Sequence, residues 1–150
     1  MARARYAAVI AVLLAMTACN SNEPQAPASK RTDEVTHELA GTRWALVQLD
    51  DKPITLSEGG REPYIALNST DHSVAGHAGC NRLSTTYKQT GAQLSFGDLI
   101  TTRMYCPDLP IETALVAAMQ ATAGWRITGS QLELLNAQQT PVARFEARNL

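Results

Sequence analysis

The sequence predicts a mainly β fold of the α+β class. The expected form is a small antiparallel sheet, curved or closed into a barrel, with one helix packed on it near residues 109–123. Three observations predict it. Short runs of strand formers recur between residues 44 and 147, separated by turn formers. After Asp108 the apolar spacing switches to a helical period. Between two late strand-like runs sits Gly129-Ser130, a two-residue hairpin signal. A sheet of many short strands gains by curling, because closure hides its unpaired edges.

Taken in order, Trp44-Ala-Leu-Val-Gln-Leu49 is rich in strand formers, and Asp50-Asp51-Lys52-Pro53 follows as a turn. Residues 55–63 carry Gly59-Gly60 and read as a loop. Tyr64–Leu67 is a short strand, Asn68–Ser73 a polar turn, and Ser73–His77 an alternating return strand. Gly79-Cys80-Asn81-Arg82 interrupts it, and Leu83–Tyr87 carries a weaker strand signal. Gln93–Phe96 alternates again until Gly97, and Ile100–Met104 reads as extended. The helix opens with Asp108 near the N-cap and Pro110 in the first turn. Ile111, Leu115, Val116 and Met119 share one face as a core stripe, the alanines keep propensity high, and Gly124 is the expected stop. Strands over 125–128, 131–135 and 141–147 complete the pattern.

The 150 residues suit one domain with a tail. Residues 1–18 have the three parts of a secretory signal: Arg3 and Arg5, an apolar run from Ala7 to Met16, then small residues before Cys19. Those ten apolar residues fall short of the roughly 20 that a membrane-spanning helix needs. Met16-Thr17-Ala18-Cys19 resembles a lipobox, with Met16 where Leu is usual. Cys19 is therefore the expected lipidation site, and Asn20 after it favours the outer over the inner membrane. The polar stretch that follows, with Pro24 and Pro27, offers nothing to bury and reads as a tether. The expected organisation is a signal peptide over 1–18, a lipidated flexible tether over 19–38 and a domain over 39–150. Without residues 1–18, 11 basic side chains face 14 acidic ones, a net charge near -3. With no basic stripe, that balance argues against a nucleic-acid partner.

A second resemblance covers about residues 39–147 and is carried by Trp44-Ala-Leu, Gly76-His-Ala-Gly-Cys-Asn-Arg-Leu83, Tyr87 with Gly91 and Leu94, and Thr102-Arg-Met-Tyr-Cys106. Glu112, Leu115 and Met119 in the helix, then Leu132-Glu-Leu134, complete it. Together these segments resemble the META/HslJ family of small bacterial envelope proteins. The resemblance implies a compact, lipocalin-like β fold with one helix, and a link to heat or envelope stress in some members. It implies no established reaction.

With Cys19 lipidated, Cys80 and Cys106 remain, an even pair in an oxidising compartment, and a disulfide between them is expected. The competing readings are two buried thiols, a Cys80 nucleophile with His77 or His72 as base, and a metal site from His72, His77, Cys80 and Cys106. The spacing matches no common zinc pattern, so no metal and no cofactor is expected. In the motif, Gly79 and Asn81 read as a turn held by the Asn side chain. Thr102 belongs to the second motif segment, while Arg82 and Arg103 are candidates for carboxylate pairs or an anionic ligand. The expected function is a non-catalytic, periplasm-facing envelope lipoprotein, a binding or stress-tolerance module attached to the membrane through Cys19 and engaging an envelope protein. The alternative is a carrier holding a small apolar ligand or lipid inside the curved sheet.

Overall fold

A computed structural model describes residues 37–148. The expected signal peptide, Cys19 and most of the tether lie outside the described residues. Ten strands and one helix follow in order: β1 Arg43–Leu49, β2 Lys52–Pro53, β3 Tyr64–Leu67, β4 Ser73–His77, β5 Arg82–Thr90, β6 Gln93–Phe96, β7 Ile100–Thr101, α1 Leu109–Gln120, β8 Gly124–Thr128, β9 Gln131–Leu135 and β10 Pro141–Arg148. All strand pairings are antiparallel.

The pairing runs in a ring. From β1 it passes through β3, β4, β5, β6, β8, β9 and β10, and β10 pairs back onto β1. The mainly β, curved, one-helix expectation is what the structure shows. A register shift in β1 between Leu46 and Gln48, against β10, and one in β10 between Pro141 and Ala143, against β9, mark bulges, which bend these strands. The thinnest seam is β6–β8, where Gln93 faces Gly124. The backbone bonds Leu94 N–H to Ala123 O and Trp125 N–H to Ala92 O extend it.

Alternation decides what lies inside. Along β5 the sequence Arg-Leu-Ser-Thr-Thr-Tyr-Lys buries Leu83, Thr85 and Tyr87 and exposes the residues between them. This weakly signalled segment is the longest strand, because threonine serves on either face of a pleated sheet. Trp44, Ile65, Leu94, Leu132, Leu134 and Phe145 are fully buried and fill the ring from all round, and Leu115 and Met119 of α1 fill it from the helix side. Trp44 donates its Nε1–H to Leu39 O at 3.0 Å, so even its polar atom is satisfied.

The helix differs from expectation in two respects. It ends at Gln120, before Gly124, because Ala123 N–H already bonds Leu135 O across the sheet. Its buried face is Glu112, Leu115, Ala118 and Met119, while Ile111 and Val116 are half-buried. The stripe is rotated so that a carboxylate points inward.

Candidate functional site

The buried carboxylate has a purpose in the turn after β4. Asn81 N–H donates to Glu112 Oε2 at 2.9 Å, and Ala78 N–H closes the turn on Asn81 O at 2.8 Å. Gly79 takes a φ of 101°, a left-handed conformation that suits glycine. The Asn81 side chain does not fold back on its own turn, as the sequence suggested. Its Oδ1 accepts from Thr102 Oγ1 at 2.8 Å and from Met104 N at 2.7 Å, and its Nδ2 donates to Met104 O at 3.0 Å. A residue that is 2% exposed thus clasps a segment more than 20 positions away. Thr102 Oγ1 also accepts from Arg82 N at 3.2 Å. Beside the clasp, Cys80 and Cys106 are disulfide-bonded with their Cα atoms 5.7 Å apart. The nucleophile reading of Cys80 therefore has no thiol to use.

Asp108 stands at the N-cap of α1, as expected, but its side chain makes no capping hydrogen bond. Its carboxylate instead accepts from Ser57 N and from Ser57 Oγ, each at 2.9 Å, fastening the 55–63 loop to the helix start. The Asp108 carbonyl takes the first helical N–H groups, from Ile111 and Glu112. Three irregular segments, 55–63, 77–82 and 102–108, are sewn together by two acids, one amide and one disulfide.

These stitches frame a groove on the outer face of the sheet. Register places Tyr64, His77 and Arg82 in one cross-strand row and Ala66, Ala75, Ser84 and Ile100 in the next. The small Ala75 and Ser84 side chains of the second row leave a hollow of about 770 Å³, whose walls carry Arg43, Arg61, Arg82 and the Glu62 carboxylate. A second hollow of about 480 Å³ adjoins it, sharing Arg61, His77, Arg82 and Thr102 and reaching Met104.

The cations differ in their partners. Arg43 lies 4.1 Å from the centre of the Tyr64 ring and 3.4 Å from Glu62, and Arg148 also approaches Glu62, at 3.5 Å. Arg61, Arg82 and Arg103 make no ion pair among the described residues. Burial holds the His77 imidazole below the ordinary histidine range, and the nearby Arg61 and Arg82 push it the same way against the opposing pull of Glu112. Its Nδ1 accepts from Gly79 N at 3.2 Å, which suits a neutral ring. Ile100 and Met104 are each 68% exposed, and Tyr105 is 90% exposed. They are the exposed large hydrophobic residues among those described. Among the described residues, no three His, Cys, Asp or Glu side chains converge as a metal would need.

The structure thus gathers Gly79, Cys80, Asn81, Arg82, Thr102 and Cys106 in one place, with Arg103 in the clasped segment. The sequence reading passed over Arg61, Ser57 and the inward role of Glu112. The hairpin register was the available signal for His77, since a tight β4–β5 turn sets it opposite Arg82. Nothing in the local sequence marks Arg61.

The META domain family model matches residues 37–149. Two solved structures share the fold. One, an NMR structure of a protein from Burkholderia xenovorans, is 24% identical, with a TM-score of 0.60, covering 85% of this chain and 99% of that one. Another NMR structure is 25% identical, with a TM-score of 0.55, covering 70% of this chain and 87% of that one. No curated protein matches the sequence.

Proposed function

The chain belongs to the META domain family, and from that premise we propose that it is a non-catalytic binding module of the cell envelope, working through the outer groove. Lipid on Cys19 holds it to the membrane, facing the periplasm, and residues 20–36 give the domain reach. The observation that carries the reading is the contrast between the two sides of the sheet. Inside, Trp44, Phe145, Leu115 and Met119 are fully buried against one another. Outside, small side chains hold open a hollow walled by Arg43, which pairs with Glu62, and by Arg61 and Arg82, which make no ion pair among the described residues. A packed interior favours surface binding over the carrier alternative, which needs internal room for an apolar ligand. A role in stress tolerance would follow from what the groove holds.

The test is site-specific photo-crosslinking from the full chain in living cells. A photoreactive residue at Ser84 is expected to give a discrete product, and one at Gln138, in the turn before β10, is not. Native mass spectrometry of the gently purified protein completes it. A bound apolar mass of a few hundred daltons, without a groove product, would refute the groove and revive the carrier. Palmitate labelling that disappears in Cys19→Ala checks the anchor separately.

A further inference from the structure

We infer that the groove and the clasped loop beside it form a docking face for an anionic lipid surface, with the unpaired arginines at the headgroup phosphates and the exposed apolar side chains in the interface. The inference deepens the proposed function and rests on it for the groove being the working surface. The cations and the apolar groups are neighbours. Arg61 and Arg82 wall both hollows, Ile100 rims the larger and Met104 the smaller. Tyr105 follows Met104 and is 90% exposed. Arginine beside protruding Ile, Met and Tyr is the composition of a face that lies in a headgroup layer, charge at the phosphate and apolar atoms just below it.

The loop that presents these groups is stiff. The Met104 backbone is held at both N–H and C=O by Asn81, and Cys106 is bonded to Cys80. Only the side chain of Met104 is left to solvent. A fixed backbone displaying large apolar side chains loses little backbone entropy when it inserts. The occupant is a bilayer and not an acidic protein, because Tyr105 and Met104 protrude. A protein partner would need a preformed apolar cavity to receive them, whereas a bilayer yields around them. The attraction is local: the chain as a whole is net negative, so only this face favours anionic lipid.

The experiment uses the mature acylated protein carrying Met104→Trp, with the parent chain as the control for Trp44 and Trp125 fluorescence. It is mixed with vesicles of phosphatidylcholine, with or without phosphatidylglycerol, containing brominated acyl chains. The expected result is attachment to both vesicles, with quenching of the introduced indole only where phosphatidylglycerol is present. Arg61→Gln/Arg82→Gln should stay attached but lower the docked-to-undocked ratio roughly 30-fold, at about fivefold for each cation near an anionic surface. Attachment to both vesicles without lipid-specific quenching overturns the docking inference and leaves the anchor standing. Attachment only to phosphatidylglycerol vesicles, with quenching, upholds docking and overturns the anchor. Millimolar inorganic phosphate that shifts the His77 resonances, in a protein that shows no quenching, assigns the groove to a soluble phosphate and overturns the lipid surface.

Discussion

Replacing Asn81 by Ala tests whether the clasp is the element that orders the loop between β7 and α1. The side chain makes three hydrogen bonds, two through Oδ1 and one through Nδ2. At about 1 kcal/mol net for each, their loss approaches 3 kcal/mol. Thr102 and Met104 are solvent-exposed, so part of their bonding is recovered from water, and about 2 kcal/mol is the expected cost. In a domain of this size that is a fall of roughly 8 °C in Tm. Urea unfolding at neutral pH, with the disulfide intact, measures it. A cycle with Thr102→Val sharpens the test. That variant removes one of the same three bonds, so the two substitutions share about 1 kcal/mol and their costs should not add. A cost for Asn81→Ala below about 0.5 kcal/mol, or strict additivity with Thr102→Val, would refute the clasp.

Other consequences can be measured alongside. Cys80→Ala/Cys106→Ala opens a loop with a sequence separation of 26, and chain entropy puts the loss near 3.5 kcal/mol; an unchanged urea midpoint would refute that. The His77 imidazole should titrate below the ordinary histidine range by NMR, and Arg61→Gln should raise its pKa by removing a neighbouring cation. Since its folded pKa is depressed, the folded state binds fewer protons than the unfolded chain, and His77 withdraws stability as the pH falls through that range; a flat response in that window, compared with His77→Gln, would contradict this. Glu133 is desolvated, yet bonds from Arg144 and Arg126 outweigh that and hold its carboxyl below the ordinary glutamate range. Its contribution is present above the unfolded pKa and lost as the pH falls through the folded one, so Glu133→Gln should flatten the acid limb of the stability curve and lower stability at neutral pH. Gly76→Ala would drive a Cβ into the Tyr64 carbonyl oxygen, a backbone atom that cannot yield cheaply, and should cost about 2 kcal/mol or more by calorimetry.

Some of this architecture was legible in the sequence for physical reasons. The Gly129-Ser130 hairpin was readable because a two-residue turn between β8 and β9 demands a left-handed residue, and Gly129 has a φ of 58°. The helix was readable from its period, and the disulfide from the two cysteines that remain once Cys19 is set aside. What escaped was long-range. Asp108 is the N-cap residue that local habit suggested, but its carboxylate serves two donors of Ser57, 51 residues away, which no local pattern announces. Asn81 looked like a turn residue for the same reason, and its partners arrive from beyond β7. Glu112 was unreadable as an inward residue because its partner is a backbone N–H, which every sequence position supplies alike. Arg61 joined the site only through the folding of a loop with no periodic signal.

The outer face carries a further argument in its composition. Alanine is a poor strand former, and exposed strand positions usually favour β-branched or aromatic residues. Yet adjacent strands place Ala66, Ala75 and Ser84 side by side on the outer surface, with Ile100 at the end of the row. Larger side chains there would strengthen the sheet and fill the hollow. The inner face of the same strands carries Ile65, Leu67, Val74 and Leu83, all buried, with Gly76 between Ile65 and Leu83 where the Tyr64 carbonyl leaves no room for a Cβ. The Ala66–Ala75–Ser84 row is therefore small while the outer row beside it, Tyr64, His77 and Arg82, is large. A sheet selected for stability alone has no reason to thin its outer rows beside unpaired arginines. The hollow beside Arg61 and Arg82 is what that thinning leaves open.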